Sequence, residues 1–329
     1  MNVAIIGCGL IGNKRAMALG DAKLVACADI NLNTAKGFSI KHGGIPFFEN
    51  GEELLQSVDC DIVILAATHN ALPQLIKKSL EYKKHVLVEK PASRFFQELD
   101  GLNELAIANK CKVRVGFNHR YHPSFRKAKE IFQSGILGEL MFIRGRYGHG
   151  GRIGYNKEWR ANPSLSGGGE LIDQGSHLID LSRMFLGDFT VSEGAACTYF
   201  WDMPVDDNAF LILRTATGQT AFLQATCTEW KNLFSFEVYG KHGKLDISGL
   251  GGSYGTERLS YYKMLPEMGP PETSIWEYPR SDDSWNIEFI EFLKDIREDR
   301  NPVPGIPDAI ANLKVINTIY NKSGYDYNP

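Results

Sequence analysis

The chain has 329 residues, with 36 lysines and arginines, 39 aspartates and glutamates, and a formal net charge of −3. Because a single hydrophobic core stops growing near this length, two domains are expected. The near-neutral charge gives no basic surface for nucleic acid or an anionic membrane, and no apolar run approaches the ~18 residues of a membrane span. Neither nucleic acid nor a membrane is therefore expected as a partner.

The N-terminus and the cysteines indicate the compartment. The first apolar segment is short, interrupted by glycines and not preceded by a basic region, so it predicts a strand and not a signal peptide. The 6 cysteines are scattered without CxxC or CxxH spacing, which indicates neither a zinc site nor a disulfide framework. Reduced thiols predict a cytoplasmic protein.

A glycine motif follows the first predicted strand. Residues 3–6 form an apolar run typical of a buried strand, and the GxGxxG spacing that follows comprises Gly7, Gly9, Leu10, Ile11 and Gly12. The first glycine permits a tight turn, the second lets the backbone approach a pyrophosphate, and the third lets the next helix, residues 13–19, pack closely. The motif predicts dinucleotide binding; the alternative is a glycine-rich turn that only closes a βα unit.

An acidic residue supports the dinucleotide interpretation. Residues 24–28 predict a second strand that ends at Asp29, where a carboxylate accepts hydrogen bonds from ribose hydroxyls. The same carboxylate repels a 2′-phosphate and no arginine follows it closely, so NAD is preferred to NADP as the cofactor. Lys36 is the basic residue that keeps NADP open as the alternative.

Helices and strands alternate through the first 120 residues. Helices are predicted at residues 52–57, 72–82 and 95–109, and strands at residues 62–67, 85–88 and 113–117. The alternation predicts an α/β Rossmann domain, residues 1–120, whose parallel, doubly wound sheet binds its ligand at the carboxyl ends of the strands. The residues expected at those ends, and hence near the cofactor, are Ala67, Thr68, His69, Glu89, Lys90 and Asn118.

Lys90 is the most suggestive of these strand-end residues. Pro91 follows it directly and restricts its backbone. We therefore expect its ammonium group to lie beside a nicotinamide ring. The alternative is a solvated surface lysine.

The pattern changes after residue 120. A helix is predicted at residues 124–134, and strands at residues 139–147, 190–200, 209–215, 220–228 and 234–239. Hairpin turns between them predict an antiparallel sheet with helices on one face. This α+β domain, residues 121–329, is expected to bind the substrate and to self-associate through its open face. Residues 249–279 are predicted as long loops, and residues 285–299 and 306–321 as closing helices, the last near the N-terminal domain.

A glycine run precedes two residues of chemical interest. Gly167, Gly168 and Gly169 lead into apolar residues at helical spacing, and we interpret them as letting the backbone approach the nicotinamide. Asp173 and His177 stand four residues apart, which on a helix places both side chains on one face. They are predicted to meet each other or a shared ligand; the alternative is an ordinary intrahelical ion pair.

Together these motifs resemble the Gfo/Idh/MocA oxidoreductases, named for glucose–fructose oxidoreductase and inositol dehydrogenase. The resemblance covers essentially the whole chain and rests on Gly7, Gly9, Gly12, Glu89, Lys90, Pro91, Asn118, Arg120, Tyr121, Pro123, Trp159, Arg160, the three glycines, Asp173, His177, Asp308, Ala309, Leu313, Ile316 and Tyr320. It implies a Rossmann domain, a second domain with a large open, mostly antiparallel sheet, and homodimers or homotetramers formed through that sheet. It also implies NAD(P)-dependent oxidation or reduction of a secondary hydroxyl or keto group in a sugar, cyclitol or nucleotide-linked sugar.

Oxidation of a secondary alcohol requires a base for the hydroxyl proton and a group that stabilises the developing alkoxide. We assign the base to His177, because an imidazole with an unperturbed pKa near ~6.5 suits proton transfer at neutral pH. Asp173 is assigned to orient the imidazole or to contact the same hydroxyl, and Lys90 to stabilise the alkoxide. A lysine base supported by the histidine is the alternative.

Polar and aromatic side chains are predicted to flank these catalytic residues. The substrate is assigned to Lys90, Arg120, Tyr121, Arg152, Tyr155, Asp173 and His177, and the cofactor also to Trp159 and Arg160. The arginines are suited to a phosphate or carboxylate group. Two sets offer metal ligands, His119 with His122 and Glu170 with Asp173 and His177, but no metal is predicted, because proline follows the first pair directly and the family's chemistry needs none.

Two other functions fit the same motifs. In one, tightly bound NAD oxidises and re-reduces the sugar, giving a net hydrolase or epimerase, and release of NADH during turnover separates it from a dehydrogenase. In the other, the chain is a redox sensor that binds the dinucleotide without turnover. The presence of Lys90, Asp173 and His177 in one chain argues against a sensor.

Overall fold

The computed structural model describes residues 1–325, which form two compact units. The first comprises Met1–Phe117 and Trp285–Ala311, and the second comprises Asn118–Ser284 and the described residues from Asn312 onward. The chain therefore returns to the first unit near its end, whereas the predicted division at residue 120 treats each domain as one continuous segment. The assignment of cofactor to one domain and substrate to the other stays a prediction.

The first unit alternates strands and helices. Its elements up to residue 117 are β1 (Asn2–Ile6), α1 (Leu10–Met17), β2 (Lys23–Ala28), α2 (Leu32–Lys41), β3 (Phe47–Phe48), α3 (Gly51–Ser57), β4 (Ile62–Leu65), α4 (Leu72–Glu81), β5 (His85–Glu89), α5 (Leu102–Ala108) and β6 (Val113–Gly116). The strands form one sheet in the order β3-β2-β1-β4-β5-β6, in which every neighbouring pair is parallel. This confirms the doubly wound Rossmann sheet, whose strand order reverses between β1 and β4.

Three details of the first unit differ from the predictions. Helix α2 and the short strand β3 are absent from them, because α2 has no clear apolar stripe; the Asn31 side chain nevertheless caps it, accepting from the backbone N–H of Asn33 and of Thr34. The predicted helix at residues 95–109 is divided into a 3₁₀ turn, Phe96–Leu99, and helix α5. Gly101, at φ 76°, separates the two.

The central strands of this sheet are buried on both faces. Ile5 of β1 and Ile64 of β4 have no exposed surface, as expected for continuous apolar runs. Phe289 and Phe292 pack into the same core from the later segment Trp285–Ala311. Each buried phenylalanine contributes on the order of 1.5–3 kcal/mol, which explains why this later segment folds with the first unit.

The second unit combines a large sheet with helices. Its elements are α6 (Pro123–Gln133), β7 (Leu140–Gly148), α7 (Pro163–Ser166), α8 (Ser176–Leu186), β8 (Phe189–Cys197), β9 (Asn208–Thr215), β10 (Thr220–Thr226), β11 (Leu233–Gly240), β12 (Gly243–Ser248), β13 (Glu257–Lys263) and β14 (Glu272–Tyr278). Helix α9 (Ser284–Arg297) begins at its last residue and continues into the first unit. Helix α10 (Ile306–Lys322) likewise contributes residues to both units.

Eight strands form the sheet of the second unit, in the order β14-β13-β12-β11-β7-β10-β9-β8. All neighbouring pairs are antiparallel except β7 and β10, which are parallel. The mostly antiparallel sheet is therefore confirmed. The one parallel pair arises because β10 follows β9 by a hairpin, yet lies beside a strand that is distant in sequence.

The prediction of long loops at residues 249–279 is wrong, because this segment contains β13 and β14. Strand β14 is an edge strand with mostly exposed side chains, so it lacks the apolar alternation that marks a half-buried strand. Glycines at residues 249–255 and prolines at residues 266–271 add a loop-like composition. Strand β12 is also absent from the predictions.

Helices cover one face of this sheet and leave the other open. Helix α8 packs on β7 and β10, and α6 packs on β12, β13 and β14. On the opposite face the side chains of Phe142, Ile212 and Phe222 are exposed. Among residues 1–325, none of the helices combines the length and the apolar character that a bilayer-spanning helix requires.

Candidate functional site

The glycine motif at the end of β1 is built for close backbone approach. A Cβ at Gly7, where φ is 101°, would lie 2.3 Å from the Ala66 carbonyl oxygen, and a Cβ at Gly12 would lie 2.0 Å from the Gly7 carbonyl oxygen. A Cβ at Gly9 would meet no atom within 4 Å. Gly7 and Gly12 are thus required by the fold, whereas the surface at Gly9 is open and fits a pyrophosphate at the start of α1.

Asp29 is held in place at the end of β2. Its carboxylate accepts hydrogen bonds from the backbone N–H of Cys8, at 2.8 Å, and of Asn31, at 2.9 Å. The first donor lies inside the glycine motif, so the acidic residue and the motif are one structural feature. The residues present therefore fit the ribose and pyrophosphate of a dinucleotide.

Two further strand ends carry predicted cofactor residues. After β4, Ala67 and Thr68 are partly exposed, His69 is buried, and the Thr68 hydroxyl donates to the Asn70 Oδ1 atom at 2.7 Å. After β5, Lys90 is partly exposed. Their predicted contacts with a cofactor stay predictions.

Glu89 belongs to a buried ion-pair network that the sequence analysis missed. Arg15 on α1, which is 1% exposed, donates from Nε to Glu89 at 2.5 Å and from Nη1 to Glu288 at 2.6 Å. Its guanidinium also lies over the Trp285 ring, 4.5 Å from the centroid. Burial raises the pKa of Glu288, and the adjacent Arg15 opposes that rise. Glu89, predicted to contact the cofactor, therefore also anchors α1 to the sheet.

In the second unit, the three glycines lie against two specific residues. A Cβ at Gly168 would lie 2.1 Å from the Tyr320 hydroxyl, and one at Gly169 would lie 1.9 Å from the Asp206 carbonyl oxygen. The buried Asp206 carboxylate accepts from the backbone N–H of Gly169 and Leu171 and from the Tyr320 hydroxyl, at 2.7–2.8 Å. Burial raises the pKa of Asp206 to about 6. The glycines thus admit Tyr320 and Asp206, which is a steric reason that the sequence interpretation lacked.

Asp173 and His177 follow this turn in two kinds of helix. The predicted regular α-helix instead begins with a π turn, Leu171–Gly175, which contains Asp173, and α8 then carries His177. Arg160 donates from Nε to the Asp173 carboxylate at 2.9 Å. Arg160 is thus placed against a predicted catalytic residue, and its predicted contact with the cofactor stays a prediction.

His177 is buried and stacked on a second histidine. Its ring lies parallel to that of His119, with centroids 3.7 Å apart and planes 18° apart. The Asn118 amide donates from Nδ2 to the Ser284 hydroxyl, which leaves its Oδ1 to accept from the His119 Nδ1–H. The His119 Nε2 then accepts from the Tyr147 hydroxyl at 3.2 Å. Burial raises the pKa of Tyr147 well above its ordinary value, so the phenol keeps its proton.

Sequence reasoning treated His119 only as a possible metal ligand. Its position directly after a strand end was the available signal, but its stacking partner lies 58 residues away in sequence (177 − 119). Asn118, predicted for the cofactor, is buried and bonded to Ser284 and His119. In residues 1–325, no group of three or more His, Cys, Asp and Glu side chains is arranged to hold a metal ion.

The predicted substrate residues occupy different environments. Arg120 forms a bidentate pair with the buried Asp180 of α8, at 2.7 and 2.6 Å, and Tyr121 is partly exposed. Arg152 is exposed, pairs with Glu158 at 2.6 Å and lies over the Tyr155 ring. Arg160 lies 4.7 Å from the Trp159 ring centroid. Substrate and cofactor roles for these residues stay predictions.

Glu170 is a buried acid next to the candidate catalytic residues. The Tyr155 hydroxyl donates to its Oε1 at 2.5 Å, and His149 Nε2 lies 3.5 Å from the same oxygen. Burial lowers the pKa of His149, but the Glu170 carboxylate outweighs burial and raises it overall. The segment of residues 148–160 is therefore attached to the start of the helix at Glu170, through Tyr155 and His149, and at Asp173, through Arg160.

Comparisons with known proteins match both parts of the chain. The model described as an oxidoreductase family with an NAD-binding Rossmann fold matches residues 1–117, and that of the GFO/IDH/MocA C-terminal domain matches residues 125–246. Levoglucosan dehydrogenase of Pseudarthrobacter phenanthrenivorans is 23% identical over 74% of this chain and 73% of its own length. Myo-inositol 2-dehydrogenase of Thermotoga maritima is 23% identical over 92% of this chain and 90% of its own length.

A solved structure of levoglucosan dehydrogenase, in complex with NADH and levoglucosan, covers 98% of this chain and 97% of its own, with a TM-score of 0.88 and 20% identity. At this identity the likeness establishes a shared fold. The two matched domains, in the order and with the sheets described above, carry the assignment of family. The chain belongs to the Gfo/Idh/MocA family of oxidoreductases, with an NAD-binding Rossmann domain at its N-terminus.

Proposed function

We propose that this protein is an NAD-dependent dehydrogenase that oxidises a secondary hydroxyl group of a sugar or cyclitol, or reduces the corresponding ketone. The observation that carries the proposal is the buried His177, stacked on His119, four residues after Asp173 in a chain of this oxidoreductase family. Relatives named for levoglucosan and myo-inositol dehydrogenation support the substrate class.

Each candidate catalytic residue has a defined task. A bound nicotinamide supplies the hydride acceptor, and the chain must remove the hydroxyl proton and stabilise the alkoxide. His177 accepts the proton, and Lys90 stabilises the oxygen by charge and hydrogen bonding. Asp173, itself held by Arg160, orients the hydroxyl or the imidazole. The reverse assignment, with Lys90 as the base, is the alternative that substitutions separate.

NAD is the proposed cofactor in preference to NADP. The support is Asp29, whose carboxylate is fixed by two backbone donors beside the glycine motif. A carboxylate at this position accepts from ribose hydroxyls and repels a 2′-phosphate. We expect kcat/KM with NAD to exceed that with NADP, and Asp29→Ala to reduce the difference.

The second unit is proposed to bind the substrate and to form a homodimer or homotetramer through its open sheet face. On that face Phe142 stacks on Tyr239, with ring centroids 4.1 Å apart, and Ile212 and Phe222 remain exposed. An apolar face rimmed by charges is typical of a self-association surface. The 6 cysteines are all free and 5 of them are buried, which supports a reducing compartment such as the cytoplasm.

The direct experiment is an assay of a panel of substrates, in which turnover is monitored by the absorbance of the reduced cofactor. Free sugars, cyclitols, levoglucosan and nucleotide-linked sugars are each incubated with NAD and with NADP. We expect NADH to accumulate with at least one sugar or cyclitol, and His177→Ala and Lys90→Ala to abolish turnover while NAD binding persists. NAD binding without NADH release on any substrate would contradict the dehydrogenase and favour a redox-neutral reaction or a sensor.

A further inference from the structure

A cluster of aromatic side chains, three of them exposed, lies beside the candidate site in the second unit. This aromatic rim comprises Tyr155, Tyr199, Phe200, Trp201 and Trp230. The Phe200 ring contacts those of Trp201 and Trp230 edge to face, with centroids 5.3 and 4.9 Å apart. Tyr199, Phe200 and Trp230 are 69%, 53% and 73% exposed. Large aromatic surfaces left in water mark binding sites more often than isolated surface residues do.

The rim is held rigidly by a buried acid. The Asp207 carboxylate, which is 0% exposed, accepts from three consecutive backbone N–H groups, those of Tyr199, Phe200 and Trp201, at 2.7–3.0 Å. The Trp201 indole N–H also donates to the Cys227 carbonyl oxygen at 3.1 Å. Because the loop is fixed, exposure of its rings does not result from a disordered tip, and a ligand binding there orders little additional chain.

The segment of residues 148–160 packs directly against the rim. A Cβ at Gly151 would lie 2.3 Å from the Trp201 ring, and one at Gly150 would lie 3.2 Å from the Trp230 backbone. The Asn156 amide donates to the Asp202 carbonyl oxygen at 3.3 Å. The segment and the rim therefore form one assembled surface.

This surface continues to the candidate catalytic residues. The Tyr155 ring lies 5.7 Å from that of Trp201, and its hydroxyl donates to Glu170, three residues before Asp173. Glu170 is 1% exposed, and its Oε2 atom has no hydrogen-bond partner within residues 1–325. A continuous row of aromatic rings therefore connects Glu170 to the exposed Trp230.

The size and chemistry of the rim favour a small ligand over a second protein copy. Aromatic side chains present ~150–250 Å² each, so the three exposed rings offer roughly 300–500 Å², below the ~800 Å² that each partner buries in a standard interface. The open sheet face is a separate apolar surface of this unit, on which Phe142, Ile212 and Phe222 are exposed. Arg152 lies over the Tyr155 ring and pairs with Glu158, so hydrogen-bonding groups border the rim. Apolar ring faces bordered by polar side chains suit a sugar ring, whose C–H face and hydroxyl edge match them.

We propose that the aromatic rim is a subsite for a second sugar ring, so that the substrate is a glycoside or disaccharide whose non-reacting ring packs on Phe200 and Trp230. The inference rests on the proposed sugar dehydrogenase function and specifies its substrate class. Binding energy from the non-reacting ring lowers KM without changing the chemical step, because the contact is equal in ground and transition states.

The test compares monosaccharide and disaccharide binding in matched variants. Calorimetric titrations in the presence of NAD use glucose, cellobiose, maltose and phenyl glucoside. They are made on the wild type, Phe200→Ser and Trp230→Ser, on the aromatic control Phe200→Tyr, and on Ile136→Ser, a control at an exposed apolar residue outside this surface. We expect at least one two-ring ligand to bind the wild type more tightly than glucose does. Both serine variants should weaken the binding of that ligand roughly tenfold, and the two control variants should bind it as the wild type does. The affinity for glucose should be the same in all variants. Far-UV circular dichroism verifies folding.

Three outcomes overturn the proposal. One is that no two-ring ligand binds more tightly than glucose. The second is that the serine variants weaken glucose as much as the disaccharide. The third is that light scattering shows Trp230→Ser to change the oligomeric state, which makes the rim a contact between copies. The titrations need no turnover, so rim-dependent binding without NADH production supports the subsite while contradicting the proposed dehydrogenase.

Discussion

The imidazole rings of His119 and His177 are stacked, with centroids 3.7 Å apart. Two protonated imidazoles at this distance would repel each other. The tautomer of His119 is set by Asn118 and Tyr147, and we expect the proposed proton transfer to use the His177 ring. His119 is therefore a positioning residue for the proposed base.

Substitution of His119 tests this relationship. His119→Ala removes the stacking surface and leaves the Tyr147 hydroxyl without its acceptor, so we expect kcat to fall at least tenfold with KM for NAD unchanged. His119→Phe keeps a ring against His177 and should recover part of kcat. Steady-state kinetics on an identified substrate measure kcat and KM for each variant. Equal turnover in His119→Ala and the wild type would show that the stack has no positioning role.

Asp206 predicts a specific dependence of stability on pH. Burial raises its pKa from 3.8 to about 6 in the folded protein. Because the folded state binds the proton more tightly, this group favours folding most below pH 3.8, and its contribution declines as the pH rises from 3.8 to about 6. Across this pH range the contribution of Asp206 to the free energy of unfolding changes by on the order of 3 kcal/mol.

The measurement is the free energy of unfolding of the wild type and Asp206→Asn between pH 4 and pH 7. Asparagine cannot titrate, so the difference between the two proteins should change across this window and level off above about pH 6. Tyr320→Phe removes one donor to the carboxylate and should shift the window to higher pH. A difference that is constant with pH would show that Asp206 keeps one protonation state throughout.

The sequence predicted those features that depend on local pattern. The buried apolar runs predict β1 and β4, and both strands lie at the predicted positions. The glycine spacing after β1 predicts the dinucleotide-binding turn. The position of Asp29 at the end of β2 also follows from spacing, although its hydrogen bond from the Cys8 backbone N–H was not predicted. The spacing of Asp173 and His177 near a glycine run makes them candidates, and their catalytic roles stay predictions. The π turn that carries Asp173 leaves no mark in hydrophobic periodicity.

Features that depend on distant contacts were not predictable from one sequence. Arg160 contacts Asp173, and His119 contacts His177, because the tertiary fold brings together segments that have no shared sequence pattern. The edge strand β14 exposes most of its side chains, so its alternation carries no apolar signal. The same holds for Arg15, which resembles a surface residue of α1 until Glu89 and Glu288 are placed beside it.

The buried Arg15 network should dominate the stability of the first unit. Arg15→Ala leaves Glu89 and Glu288 buried without the arginine that pairs with both, and breaking a buried pair in this way costs about 3–5 kcal/mol. Lys127→Ala breaks an exposed pair with Glu130 and should cost less than about 1 kcal/mol. Urea unfolding measures both. A cost for Arg15→Ala no larger than that of the control would contradict the network's role.

Two glycine substitutions separate backbone strain from steric overlap. Gly168 and Gly154 both have positive φ, 152° and 84°, but only a Cβ at Gly168 meets another residue, the Tyr320 hydroxyl at 2.1 Å. We expect Gly154→Ala to cost about 1 kcal/mol from strain alone. Gly168→Ala should cost several times more and lower activity, since it displaces the turn before Asp173. Similar unfolding free energies for the two variants would indicate that the turn adapts freely.

The contact between Arg160 and Asp173 distinguishes two roles for the arginine. If Arg160 acts by holding Asp173, Arg160→Ala should lower kcat/KM for the substrate and leave KM for NAD unchanged. The double variant Arg160→Ala, Asp173→Asn should then have nearly the same kcat/KM as Asp173→Asn alone. If instead Arg160 binds the cofactor, KM for NAD should rise in Arg160→Ala and the two effects should add. Arg258→Ala, which removes an exposed arginine paired with Glu277 in the second unit, is the control. Because the Nε–Oδ2 distance of 2.9 Å is that of a charge-assisted hydrogen bond, we expect the non-additive result, in which Arg160 acts by fixing the position of Asp173.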